Sequence, residues 1–160
     1  MSLAATDGGY LVAFIDTSGG TQVGRVSVAK GTAKWTDAFE VPPMDPMFEL
    51  HVLEGGQRIL ALGVDHRVRL WDSSGHTVAE LDEHGVIPWQ LRVEHDDAGV
   101  HVAALQFAPV RVQRMEIAKD ELTLVGEPQS IAIDQSPNRN DIAMSPDGRF
   151  VTAMQKRNRR

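Results

Sequence analysis

Apolar and charged residues alternate along RVRLWD, residues 67–72, and the run ends on a Trp-Asp pair followed by Ser-Ser-Gly. Period-two alternation marks a strand whose two faces meet different surroundings. It predicts Val68, Leu70 and Asp72 on one face and Arg67, Arg69 and Trp71 on the other. The pattern recurs. Between residues 47 and 82 the strand candidates are FELHV, QRILAL, RVRLW and HTVAEL, joined by EGG, GVDH and DSSG. Residues 88–126 repeat the scheme with PWQLRVEH, VHVAALQF, VRVQRMEI and ELTLV. Residues 2–41 hold SLAAT, YLVAFI, QVGRVSVA and AKWTDAF, where Gly24 inside a strand signals a bulge or a shifted boundary. Residues 140–160 hold only DIAMS and RFVTAM.

Four hairpin signals set the period. TDGGYLVAF, EGGQRILAL, DAGVHVAAL and PDGRFVTAM align on Gly8, Gly56, Gly99 and Gly148, in steps of 48, 43 and 49 residues. With strands between the steps, such a period fits a four-stranded blade better than a pair of helices. Pro42, Pro43 and Pro46 stop any helix in EVPPMDPMFEL, and IDQSPNRND at 133–141 is a second connector. The expected fold is one all-β, β-propeller-like domain over residues 1–160. It has about three and a half four-stranded antiparallel blades, half or a fragment of a seven-bladed ring. A second copy of the chain would complete that ring as a homodimer, and a longer chain would do so alone.

The unit LHVLEGGQRILALGVDHRVRLWD resembles the WD-repeat propellers, and SPDG at Ser145–Gly148 resembles the first hairpin of such repeats. In that family an Asp before the third strand and the Trp closing it join a buried hydrogen-bond network with a Ser or Thr and a His. The resemblance assigns those two places to Asp65 and Trp71, as a blade staple. The second-strand positions hold Ala61 and Gly63, and His84-Gly85 is the family's loop dipeptide reversed. What the resemblance implies is a non-catalytic protein-interaction or scaffold module. Its contact surface would be the loops carrying His66, Arg67, His84 and Trp89. Trp35 and Trp89 also read as packing residues between blades, with Trp89 offering an anchor for a protein ligand if it faces outward.

Composition narrows the chemistry. The chain of 160 residues carries a net charge of −6, which opposes nonspecific attraction to nucleic acid. The basic end QKRNRR is expected to be a solvated tail. No cysteine is present, so disulfides, thiolate metal sites and Cys nucleophiles are excluded. The longest apolar run, LVAFI, is far too short for a membrane span, and MSLAATDGGY lacks the features of a secretory signal, which points to a cytoplasmic protein. The sequence holds no GxSxG, HExxH or phosphate-cradling GxxxxGK, and no cofactor is expected. The rival reading is a metal-dependent, lactonase-like propeller hydrolase. In it Glu49, His51, Glu94 and Asp141 on innermost strands would converge on a central ion.

Overall fold

The computed structural model describes residues 2–6, 9–15, 21–40, 47–82, 85–97, 99–107, 109–131 and 141–154. They form fourteen strands, with a 3₁₀ turn at Glu54–Gly56 as the sole helical element among them. The chain divides into two compact units, residues 1–81 and 82–160. In the first unit β1 (Ser2–Thr6), β2 (Gly9–Ile15), β3 (Thr21–Ala29) and β4 (Thr32–Glu40) make one antiparallel sheet in sequence order. A second follows the same order with β5 (Met47–Leu53), β6 (Arg58–Gly63), β7 (Val68–Asp72) and β8 (Thr77–Leu81). The second unit holds β9 (Gln90–Asp96), β10 (Gly99–Phe107), β11 (Val110–Ala118) and β12 (Glu121–Ser130), then the two-stranded sheet of β13 (Asp141–Met144) and β14 (Val151–Met154). Every strand expected from alternation is present, shifted by a few residues at its ends.

Local chemistry explains the meanders. Ala29 pairs with Thr32 and Ala118 with Glu121, leaving two-residue hairpin loops that begin at Lys30 and Lys119 with φ of 52° and 56°. Positive φ at the loop start matches the right-handed twist of the strands it joins. The β3–β4 ladder does carry a bulge, but the extra residue is Thr36 of β4, opposite the Arg25–Val26 step. Gly24 itself stays in register with Val12 and Ala38. It is glycine because the Trp35 indole lies over it, where a Cβ would collide with the ring.

Each unit has its own core. Leu11 and Val23 of the first sheet pack with Leu50, Ile59, Ala61 and Trp71 of the second. Trp71 is wholly buried, and truncating it to alanine would cost about 3–5 kcal/mol. The second core gathers Ala103, Leu105 and Val112 under Met144 of β13, with Val110 and Ile131 at its margin. There the β13–β14 turn also touches the β9–β11 sheet, since Gly148 lies directly against the His101 ring.

Candidate functional site

The β6–β7 turn carries a group of four charges. Asp65 accepts from both terminal nitrogens of Arg69, at 3.1 and 2.5 Å, and from the Arg67 backbone N–H at 3.2 Å. Glu80 lies opposite Arg69 in the β7–β8 ladder. It accepts from Arg69 Nε at 2.7 Å and from Arg67 Nη1 at 2.9 Å. Arg69 is buried, whereas the carboxylates keep a quarter to a third of their surface. The guanidinium beside Asp65 holds that carboxyl below its ordinary range against the opposing effect of burial. For Arg69, burial favours the neutral form, and the hydrogen bonds to Asp65 and Glu80 overcome it and raise the pKa. Gly63 completes the arrangement: a Cβ there would strike Asp65 and sit 3.0 Å from Arg69 Nη1.

Trp71 belongs to a separate contact. Its indole N–H donates to Thr77 Oγ1 at 3.1 Å, the residue opposite it on β8. Asp65 and Trp71 therefore do not share one network. The missing second-strand hydroxyl is supplied from the fourth strand, and the turn aspartate is matched by an arginine two residues before the tryptophan. Asp72, the other half of the Trp-Asp pair, organises the next turn. Its Oδ1 accepts from the Ser74 hydroxyl at 2.7 Å and from the backbone N–H groups of Ser74 and His76. The Ser74 hydroxyl leads in lowering its pKa from 3.8 to about 2.

Of the four contact candidates, His66 and Arg67 lie on this turn, His66 with a φ of 63° and Arg67 engaged by Glu80. His84 lies outside the described residues. Trp89 sits in a short segment before β9, and its surroundings correct its reading as a packing residue. Val86 and Pro88 are buried while Ile87 and Trp89 are 53% and 49% exposed. The segment is held by its backbone: Trp89 N–H donates to Leu105 O at 2.8 Å, and Ile87 N–H to Gln106 Oε1 at 3.0 Å. Gly85 opens it at a φ of 65°, where a side chain would strike Pro128. Trp35, 41% exposed, packs within its own blade with its indole over Gly24. Ile87 escaped sequence reading. The signal was the alternation in VIPW, which pairs Ile87 with Trp89.

No family model matches the chain, and no curated protein sequence matches it. Among solved structures, one similar to it is the crystal structure of a Bacteroides fragilis protein assigned as a 6-phosphogluconolactonase, with a TM-score of 0.57 at 15% sequence identity. The match covers 91% of this chain and 47% of that one, so the chain spans about half its length. The fold is β-propeller-like. Each four-stranded meander is a blade, and β13–β14 contributes half of another.

The blades place the metal candidates as follows. Glu49 and His51 share a face of β5, with His51 Nε2 3.1 Å from Glu49 Oε1. Glu94 is on β9, opposite His101. Asp141 opens β13, and its side chain lies outside the described residues. Among the described residues no three His, Asp or Glu side chains come together as a metal site, so the expected convergence is not found there. No helix among them is long and apolar enough to cross a membrane.

Proposed function

We propose that the chain is a non-catalytic protein-interaction module of propeller type, whose contact surface centres on Ile87 and Trp89. One observation carries this reading: two large apolar side chains point outward from a segment whose backbone is pinned at both residues. Burying the half of each side chain that is still exposed would remove apolar surface worth about 1–1.5 kcal/mol apiece. Their rigid mounting spares most of the ordering cost that a mobile loop would incur on docking. A tryptophan with an adjacent aliphatic residue is also the kind of anchor that dominates binding at protein interfaces. Arg67, by contrast, is already engaged in holding the second blade together.

The test compares affinity capture by wild type, by Ile87→Ser/Trp89→Ala and by Val28→Ser, the last removing an apolar side chain that is 51% exposed elsewhere. The expected result is partner protein retained by wild type and Val28→Ser and lost with the double variant, at unchanged melting temperature. Equal capture by all three would overturn the surface. A lactonase reading draws on the fold likeness and on the Glu49–His51 pair. Hydrolysis of 6-phosphogluconolactone by the pure protein above the spontaneous rate, lost in His51→Ala, would replace the binding reading with that one.

A further inference from the structure

We propose that the outer edge of the third blade carries a binding cleft for a small phosphate-bearing molecule, with Arg114 as its anchor. The cleft arises from a large irregularity in the β11–β12 ladder. Val112 pairs with Gln129, but Arg114 pairs with Val125, so Gly126 to Pro128 are skipped by the ladder. Gly126 takes a φ of 67°, and the strand bows away from its neighbour. The bow is braced from behind by Gln113, which is 1% exposed. Its amide nitrogen donates to the carbonyls of Arg114 at 2.8 Å, Gly126 at 3.1 Å and Val125 at 3.4 Å. A side-chain amide thus takes the place of ladder bonds, and the opening is a built feature of the sheet.

Arg114 alternates with Gln113 along β11 and so projects from the opposite face, into the cleft. The opening encloses about 190 Å³ and is lined by Arg114, Val125, Gly126, Glu127, Ser130 and Arg149. Arg114 is half-buried, and among the described residues its guanidinium has neither an ion pair nor a hydrogen bond. Removing an arginine from bulk water without giving its five donors a partner is costly, and an oxyanion is the partner whose geometry matches that fork. Arg149 reaches the same opening from the β13–β14 turn. Its Nε is taken by Asp147 at 2.5 Å, while its two terminal nitrogens have no described partner. Glu127 is the one carboxylate on the lining and is exposed, so solvent weakens its repulsion. Asp147 offsets the charge of Arg149, and Glu127 is screened by solvent, so the positive charge left facing the opening is that of Arg114, in a molecule whose net charge is −6. A phosphate group fits on the arginines, and the remaining volume, bordered by the Ser130 hydroxyl, suits a hydroxyl-rich remainder.

The test is a ¹H–¹⁵N NMR titration with inorganic phosphate, and in parallel with a sugar phosphate, against sodium chloride at matched ionic strength. Saturable shifts are expected at Gly126, Glu127, Ser130 and Arg149, with a Kd on the order of 1 mM for the free ion. A sugar phosphate that binds tighter than phosphate assigns the extra volume to the organic part, and equal binding assigns the site to the free ion. Arg114→Gln should weaken binding by about tenfold, an effect of about 1.4 kcal/mol. Arg114→Lys keeps the charge but not the fork and should weaken it less, while Arg25→Gln in the other unit should change nothing. Shifts that do not saturate by about 50 mM, or saturation unaltered in both Arg114 variants with an otherwise unchanged spectrum, would overturn the proposal.

Discussion

Arg69 sits in an apolar sheet face beside Trp71, Ile59 and Ala61, and its charge is tolerated there because two carboxylates converge on it from a turn and a neighbouring strand. Such groups are costly to break and cheap to replace whole, since removing one partner strands the other charges. Arg69→Met should therefore destabilise the protein by about 2–4 kcal/mol, at the lower side of buried pairs because Asp65 and Glu80 keep contact with water. Gly63→Ala should cost a comparable amount without touching any charge, because the methyl group displaces the Asp65 carboxylate from the guanidinium. Urea unfolding measures both. A Gly63→Ala variant as stable as wild type would show that the ion pair can shift without loss. Asp72 makes a different prediction. Its folded-state pKa of about 2 lies below its ordinary value of 3.8, so its contribution is complete above 3.8 and disappears as pH falls through about 2. Asp72→Asn should thus lower the urea midpoint at about pH 6 and narrow its fall between about pH 5 and pH 2.5. Asp65 and Asp147, also lowered, leave a residual slope.

A two-stranded sheet is marginal by itself, so β13–β14 must take its stability from the blade it lies on. The attachments are visible: Met144 enters the core of Ala103, Leu105 and Val112, and Gly148 rests on the ring of His101. His101 is itself fixed by Asp96, whose Oδ1 lies 3.0 Å from Nε2. The turn is shaped by Asp147, which accepts from the Ser145 hydroxyl and from the Arg149 backbone and guanidinium, and these hold its carboxyl well below the usual range. Gly148→Ala meets two obstacles, a φ of 65° and a Cβ 2.7 Å from that of His101. It should cost about 1–3 kcal/mol and act on the hairpin before the rest of the unit. Amide exchange at 141–154 should accelerate about ten- to hundredfold while β10 and β11 stay protected. Uniform acceleration across the second unit would mean that hairpin and blade unfold together. These elements were legible in the sequence because alternation and turn residues are local properties. The ion-pair group was not: Arg69 and Glu80 are eleven residues apart, and only the ladder register makes them neighbours. The cleft was invisible for a related reason, since nothing in ELTLVGEPQS except Gly126 and Pro128 announces that three residues leave the ladder.

For the molecule as a whole, an acidic surface opposes association while exposed apolar side chains favour it. At pH 7 the net charge of −6 keeps copies apart. Yet Phe150, Ile87 and Trp89 are 72%, 53% and 49% exposed, and they remain so when the charge is gone. Charge vanishes near the sequence pI of 5.4. Repulsion between copies should therefore fade on moving from about pH 8 toward about pH 5.4, leaving the apolar contacts to act. Static light scattering should show the second virial coefficient passing from positive to negative over that range. Ile87→Ser/Trp89→Ala should keep it near zero at the low end, because the most rigidly displayed apolar pair has been removed while the charge is untouched. If the double variant self-associates as strongly as wild type at the pI, the attraction comes from another surface, and the Ile87–Trp89 segment loses its claim to be the adhesive part of this protein.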